Sequence, residues 1–171
     1  MSTQCHVFLL RPTQKLARRL GLQIPATLPE VKNRLADWCA QDFQAGRIRY
    51  LLFVNTASLF PVIVPARGVT TLGRLMRAFD DGAKLTLQRT PWMSQFDRWI
   101  APELSEVQLG RIPGRSLLGS TNDFIRMACF YLHEDGVSPE ETSVHLARAP
   151  MGYLGMNSPD RVFPKLKGMS T

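Results

Sequence analysis

Long apolar runs are missing from this chain. No stretch approaches the roughly 18 to 20 apolar residues that a membrane-spanning helix requires, so no membrane role is expected. The first residues, Met-Ser-Thr-Gln-Cys-His, carry no basic stretch followed by an apolar run and no small-residue cleavage site. That predicts no signal peptide and a cytoplasmic setting. Cysteine is scarce: Cys5, Cys39 and Cys129 are far apart, which is no disulfide framework and fits a reducing compartment. Catalytic signatures are missing too. The nearest approach to a phosphate-binding loop, residues 110 to 119, lacks the closing Gly-Lys-Ser/Thr, and Gly-x-Gly-x-x-Gly, Gly-x-Ser-x-Gly, His-Glu-x-x-His and Cys-x-x-Cys are all absent. These absences weigh against the common nucleotide-binding, hydrolase and zinc classes, and no cofactor or metal is expected.

Acidic charge is also short, with 14 Asp and Glu against 21 Lys and Arg and a pI near 9.8. The imbalance is local. Residues 1 to 85 hold 12 basic and 5 acidic residues, whereas residues 86 to 171 hold 9 of each. An excess of this kind is either the footprint of a polyanion-binding face or a solvated surface that keeps the protein soluble. With 171 residues and 44% apolar content, one domain over 1–171 suffices, with an extended tail from about residue 150.

What is present is dominated by residues 48 to 65. Two runs rich in β-branched and aromatic residues flank Asn55-Thr56-Ala57-Ser58, which predicts a β-hairpin over 47–54 and 59–65. Pro61 cannot donate to a ladder and places the second strand at an edge. Residues 6 to 10 read as a short first strand. Thr13 caps a short helix with Leu16 and Leu20 on one face, Lys15, Arg18 and Arg19 on the other, and Gly21 as its stop. From Pro29, the spacing of Val31, Leu35, Trp38, Cys39 and Phe43 predicts a second helix ending at Gly46, although Trp and Phe also suit a strand. Thr70 or Thr71 caps a helix with Leu72, Leu75, Met76 and Phe79 on its face. Residues 90 to 105 read as a loop with one helical turn, and 106 to 112 as a strand. The longest helix runs over about 116 to 135, and Ser138-Pro139-Glu140-Glu141 opens another through a capping box. The fold class expected is α+β: a small, mostly antiparallel sheet built around the hairpin, with helices packed on it.

Four constellations carry chemistry. Cys129 and His133, at i and i+4, have metal-ligand spacing, with Cys5 and His6 as a distant second pair, but a complete ligand set is missing. Arg115, Asn122 and Asp123 gather at the start of the longest helix, where free N–H groups attract anions and where Ser, Thr, Asn and Asp also serve as plain caps. His133-Glu134-Asp135 and His145 offer an acid–base group, or simply a polar helix end. The fourth is the basic set Arg11, Lys15, Arg18, Arg19, Lys32, Arg34, Arg47 and Arg49, joined by Arg115 as a nucleic-acid or anion contact. These would form one surface if the first two helices packed side by side.

Several stretches resemble a family of small uncharacterised bacterial proteins, a domain of unknown function met in chromosomes and mobile elements. They are Thr13-Gln-Lys-Leu, the Trp38 segment, Arg49-Tyr-Leu-Leu-Phe-Val-Asn55 with Leu59-Phe60, and Arg115-Ser-Leu-Leu-Gly-Ser-Thr-Asn-Asp-Phe124. Leu146 to Gly152 is similar, with Ala147 where the pattern carries Asn. The resemblance implies a single domain of bacterial or phage-related origin and no established activity. Three functions are then open. The first is a non-enzymatic binding module whose basic half meets nucleic acid or an acidic protein. The second is a small nuclease or phosphotransfer enzyme using Arg115, Asn122, Asp123 and a histidine, His133 foremost. The third is a toxin–antitoxin or anti-defence component that acts by binding a protein partner.

Overall fold

The computed structural model describes residues 6–27 and 29–168. Five strands, β1 Phe8–Pro12, β2 Asp37–Ala45, β3 Ile48–Asn55, β4 Pro61–Pro65 and β5 Val107–Leu109, form one sheet in the order β4-β3-β2-β1-β5. The helices are α1 Gln14–Leu20, α2 Leu72–Leu87, α3 Met93–Gln95, α4 Arg115–Cys129, α5 Pro139–Ala147 and α6 Pro159–Val162. The fold is α+β, and the sheet is mixed. β2–β3 and β3–β4 are antiparallel, whereas β1 pairs in parallel with both β2 and β5. The antiparallel ladders are the longer ones.

The hairpin of β3 and β4 forms as expected, and Pro61 lies on the edge strand. Residues 29 to 46 depart from the reading as a helix. A short 3₁₀ turn, Arg34–Ala36, leads into β2, the central strand. The reason is burial on both faces. Trp38 and Ala40 enter one core, and Cys39, Phe43 and Ala45 enter the other. A strand covered on both sides shows no alternation and is not distinguished by pattern from a buried helix. Gly46 is accordingly no helix stop. It begins the two-residue turn of a second hairpin, with Ala45 opposite Ile48. Its φ of 60°, next to a residue of ordinary φ, marks a type II′ turn.

The sheet separates two cores. On one face, α1 and α2 cover Phe8, Leu10, Trp38, Leu51, Phe53 and Val62. Phe79 of α2 is their hub, with ring centroids 4.9 Å from Phe8, 4.9 Å from Trp38 and 5.2 Å from Phe53. On the other face, Leu117, Phe124 and Ala128 of α4 and Leu146 of α5 pack on Leu52, Val54 and Ile63. α5 also shields the β4 edge, where the Ile63 N–H donates to Ser143 Oγ at 2.9 Å. Capping follows sequence. Thr13, Thr71 and Ser138 accept from backbone N–H groups at the starts of α1, α2 and α5, and Gly21 closes α1 at φ 66°. From Gly152 onward the chain makes helical turns where an extended run was expected, and the Phe163 ring packs tilted against Phe60 with centroids 4.5 Å apart. Among the described residues no helix is long and apolar enough to cross a membrane.

Candidate functional site

The enzymatic candidates are not brought together. Arg115 is exposed in the first turn of α4, and His133 lies 18 residues later in the π-helical turn Phe130–Glu134. At 1.5 Å per residue, these two are roughly 27 Å apart along the axis. The polar groups between them are spent locally. Ser120 and Thr121 donate to the carbonyls of Ser116 and Leu118, Asn122 accepts from Gln41, and Asp123 pairs with Arg126. None of these side chains caps the helix, whose N-cap is Gly114.

The His133 ring packs on the hairpin turn, since a Cβ built at Gly46 would fall 2.4 Å from its Nδ1. His145 stacks on Tyr131 with centroids 4.9 Å apart. Cys129 Sγ is 3.5 Å from the Gln44 carbonyl. Cys5 lies outside the described residues. Among those described, no group of three or more His, Cys, Asp and Glu is placed to hold a metal ion. Burial also makes the thiols poor nucleophiles: it pushes Cys39 up to about 12, with Asp37 adding to the effect, and raises Cys129.

The basic set divides into three. Arg11 is not a surface cation. It is buried with Asp37, its Nε 2.8 Å from Oδ1 and Nη2 3.2 Å from Oδ2, and it donates to the Arg111 carbonyl as well. Lys32 and Arg34 precede β2 and are exposed at its far end. The nine residues of β2, at about 3.3 Å each, put them roughly 30 Å from the turn at Arg47. The continuous surface expected from two adjacent helices does not form, because the second helix is β2. Lys32 instead lines a cleft of about 510 Å³, beside His6, Arg98, Trp99 and Glu103. Glu103 there is already committed to the Val7 N–H and to His6, at 2.7 and 3.2 Å.

The third group converges. Lys15, Arg18 and Arg19 of α1 and Arg47 of the turn are all exposed, and Arg49 is the second residue of β3. Arg19 Nε and Arg49 Nη1 approach the same oxygen, Asp42 Oδ2, at 3.3 and 3.5 Å. The Asp42 side chain is only 2% exposed, and its Oδ1 has no hydrogen-bond donor among the described residues. Sequence reasoning did not single out Asp42, because a helix over 29–46 gave it no special place. Two more cations join. The Ala66 N–H donates to the Arg49 carbonyl at 3.0 Å, bringing Arg67 alongside, and Arg74 donates to the Gly68 carbonyl at 3.0 Å. The cluster faces the α1 and α2 side of the sheet. Glu134 and Asp135 follow His133 at the end of a turn whose Leu132 packs in the other core.

No curated protein and no solved structure matches the chain. A family model described as a domain of unknown function, DUF6933, matches residues 9–162, which is most of the chain and includes the stretches that carry the resemblance. The chain belongs to that family.

Proposed function

We propose that this protein is a non-enzymatic binding module that engages the phosphate backbone of a nucleic acid through the cations around the β2–β3 turn. One observation carries the reading. Lys15, Arg18, Arg19, Arg47, Arg49, Arg67 and Arg74 gather from three separate segments at one end of one sheet face, and the carboxylate among them, Asp42, is buried. A dispersed charge excess is thereby focused, and focused positive charge attracts polyanions by releasing their counterions. Among the described residues no ladder of exposed aromatic rings accompanies the cations, so the expected recognition is of backbone and not of stacked bases.

The test is fluorescence anisotropy with labelled RNA and DNA duplexes and single strands between about 50 and 200 mM salt. Binding is expected at low salt, with log affinity falling linearly against log salt. Arg47→Glu combined with Arg67→Glu should weaken it at least tenfold and flatten the slope. Absence of binding at the lowest salt would remove nucleic acid as the partner and leave an acidic protein as the occupant to seek by crosslinking.

A further inference from the structure

We infer that Arg19 and Arg49 form a clamp for a single phosphate group, with Asp42 as the positioning residue that holds the two guanidiniums together. This rests on the nucleic-acid reading above and adds the subsite within it.

The geometry is unusual for a surface ion pair. Two guanidiniums from different elements approach one buried carboxylate oxygen, so their paired nitrogens lie no more than about 7 Å apart, a distance at which like charges repel unless something lies between them. Asp42 supplies one negative charge for two positive ones, so the trio stays cationic. Its Oδ1 has no hydrogen-bond donor among the described residues, so the two arginines at Oδ2 are the partners the structure gives this carboxylate. Arg19 comes nearest to Asp42 through Nε and Arg49 through Nη1, and among the described residues neither guanidinium pairs with any other group. The remaining N–H groups of both forks are left for an outer ligand, and both side chains are partly exposed, at 28% and 47%. A phosphate fits this arrangement. Its oxygens accept from both forks at once, and its charge balances the surplus cation. Lysine in place of either arginine keeps the charge and loses the fork.

The experiment separates position from charge. Binding of a short labelled RNA, the probe throughout, is measured at about 50 mM salt for the wild type, Arg19→Lys, Arg49→Lys and Asp42→Asn, with thermal melts to confirm folding. If only net charge matters, Asp42→Asn adds a positive charge and tightens binding, and the lysine variants match the wild type. If the clamp is real, Asp42→Asn weakens binding despite the added charge. Each lysine variant then loses about tenfold in affinity with its salt slope unchanged. Wild-type binding with unaffected lysine variants overturns the clamp and leaves the nucleic-acid reading standing. No wild-type binding brings down both. Should Asp42→Asn fail to fold, the lysine pair decides.

Discussion

Asn55 uses every hydrogen-bonding site its side chain has. Nδ2 donates to the Arg34 and Asp37 carbonyls at 2.9 and 3.1 Å, and Oδ1 accepts from the Ser58 N–H and hydroxyl at 3.0 and 2.8 Å. It thereby ties the entry of β2 to the β3–β4 loop from a fully buried position. A change to aspartate keeps the shape and replaces the two donors with an acceptor facing two carbonyls. We expect Asn55→Ala to cost about 2 kcal/mol and Asn55→Asp at least about 1 kcal/mol more, because a buried unpaired charge is the costlier defect. Urea denaturation of both at neutral pH checks the order, and an aspartate variant as stable as the alanine variant would sink it. In sequence Asn55 stands at the break between the two runs of the hairpin, where an Asn is ordinarily explained by its tolerance of turn backbone. The left-handed residue of that loop is Leu59, at φ 60°, and Asn55 matters through its side chain. Arg11 was illegible for the same kind of reason: whether a charge is solvated or paired with Asp37 depends on β1 lying beside β2, and no local pattern reports that.

Elements were legible where their ends are chemically marked and one face is polar. α2 is such a case, with Thr71 as cap and Leu72, Leu75, Met76 and Phe79 on its face, and so is α5 with Ser138. β2 was not, because both of its faces are buried and its aromatic residues fall by chance at helical spacing. Asp80-Asp81-Gly82 has the composition of a helix stop. The helix continues to Leu87, and Gly82 has a different purpose: it lets α2 approach β4 closely. A Cβ there would fall 2.1 Å from Val64 Cγ1 and 3.2 Å from Val62 Cγ1. In an exposed helix, Gly→Ala gains up to about 1 kcal/mol. Here the short, stiff valine side chains belong to a buried edge strand and have little room to retreat. Gly82→Ala is therefore expected to destabilise by about 1 to 3 kcal/mol, the usual range for overpacking. A thermal melt that rises with this change would show that α2 does not pack on β4 as described.

At the scale of the molecule, the charge asymmetry visible in sequence became a site only through topology. The halves of the chain differ by seven charges, but Lys32 and Arg34 were carried to one end of β2 and Arg47 and Arg49 to the other, while Arg11 was buried. The fold concentrates what remains around the β2–β3 turn and holds it there against its own repulsion. This has a thermodynamic consequence that does not depend on which partner binds. Screening should relieve the crowding of Arg18, Arg19, Arg47, Arg49, Arg67 and Arg74. The exposed ion pairs that salt weakens, such as Lys84–Asp80 and Arg126–Asp123, contribute little in the first place. The melting temperature should therefore rise between about 20 and 200 mM chloride, where the screening length shrinks from beyond the spacing of neighbouring side chains to within it. Arg47→Glu with Arg67→Glu should melt higher than the wild type at the low-salt end and show a flatter salt dependence. Adding heparin at fixed ionic strength should raise the wild-type melting temperature further, because a polyanion that binds the folded state stabilises it by mass action. A wild-type melting temperature that falls with added chloride would mean the cations are already neutralised within the fold, and the basic end would then be an ordinary solvated surface.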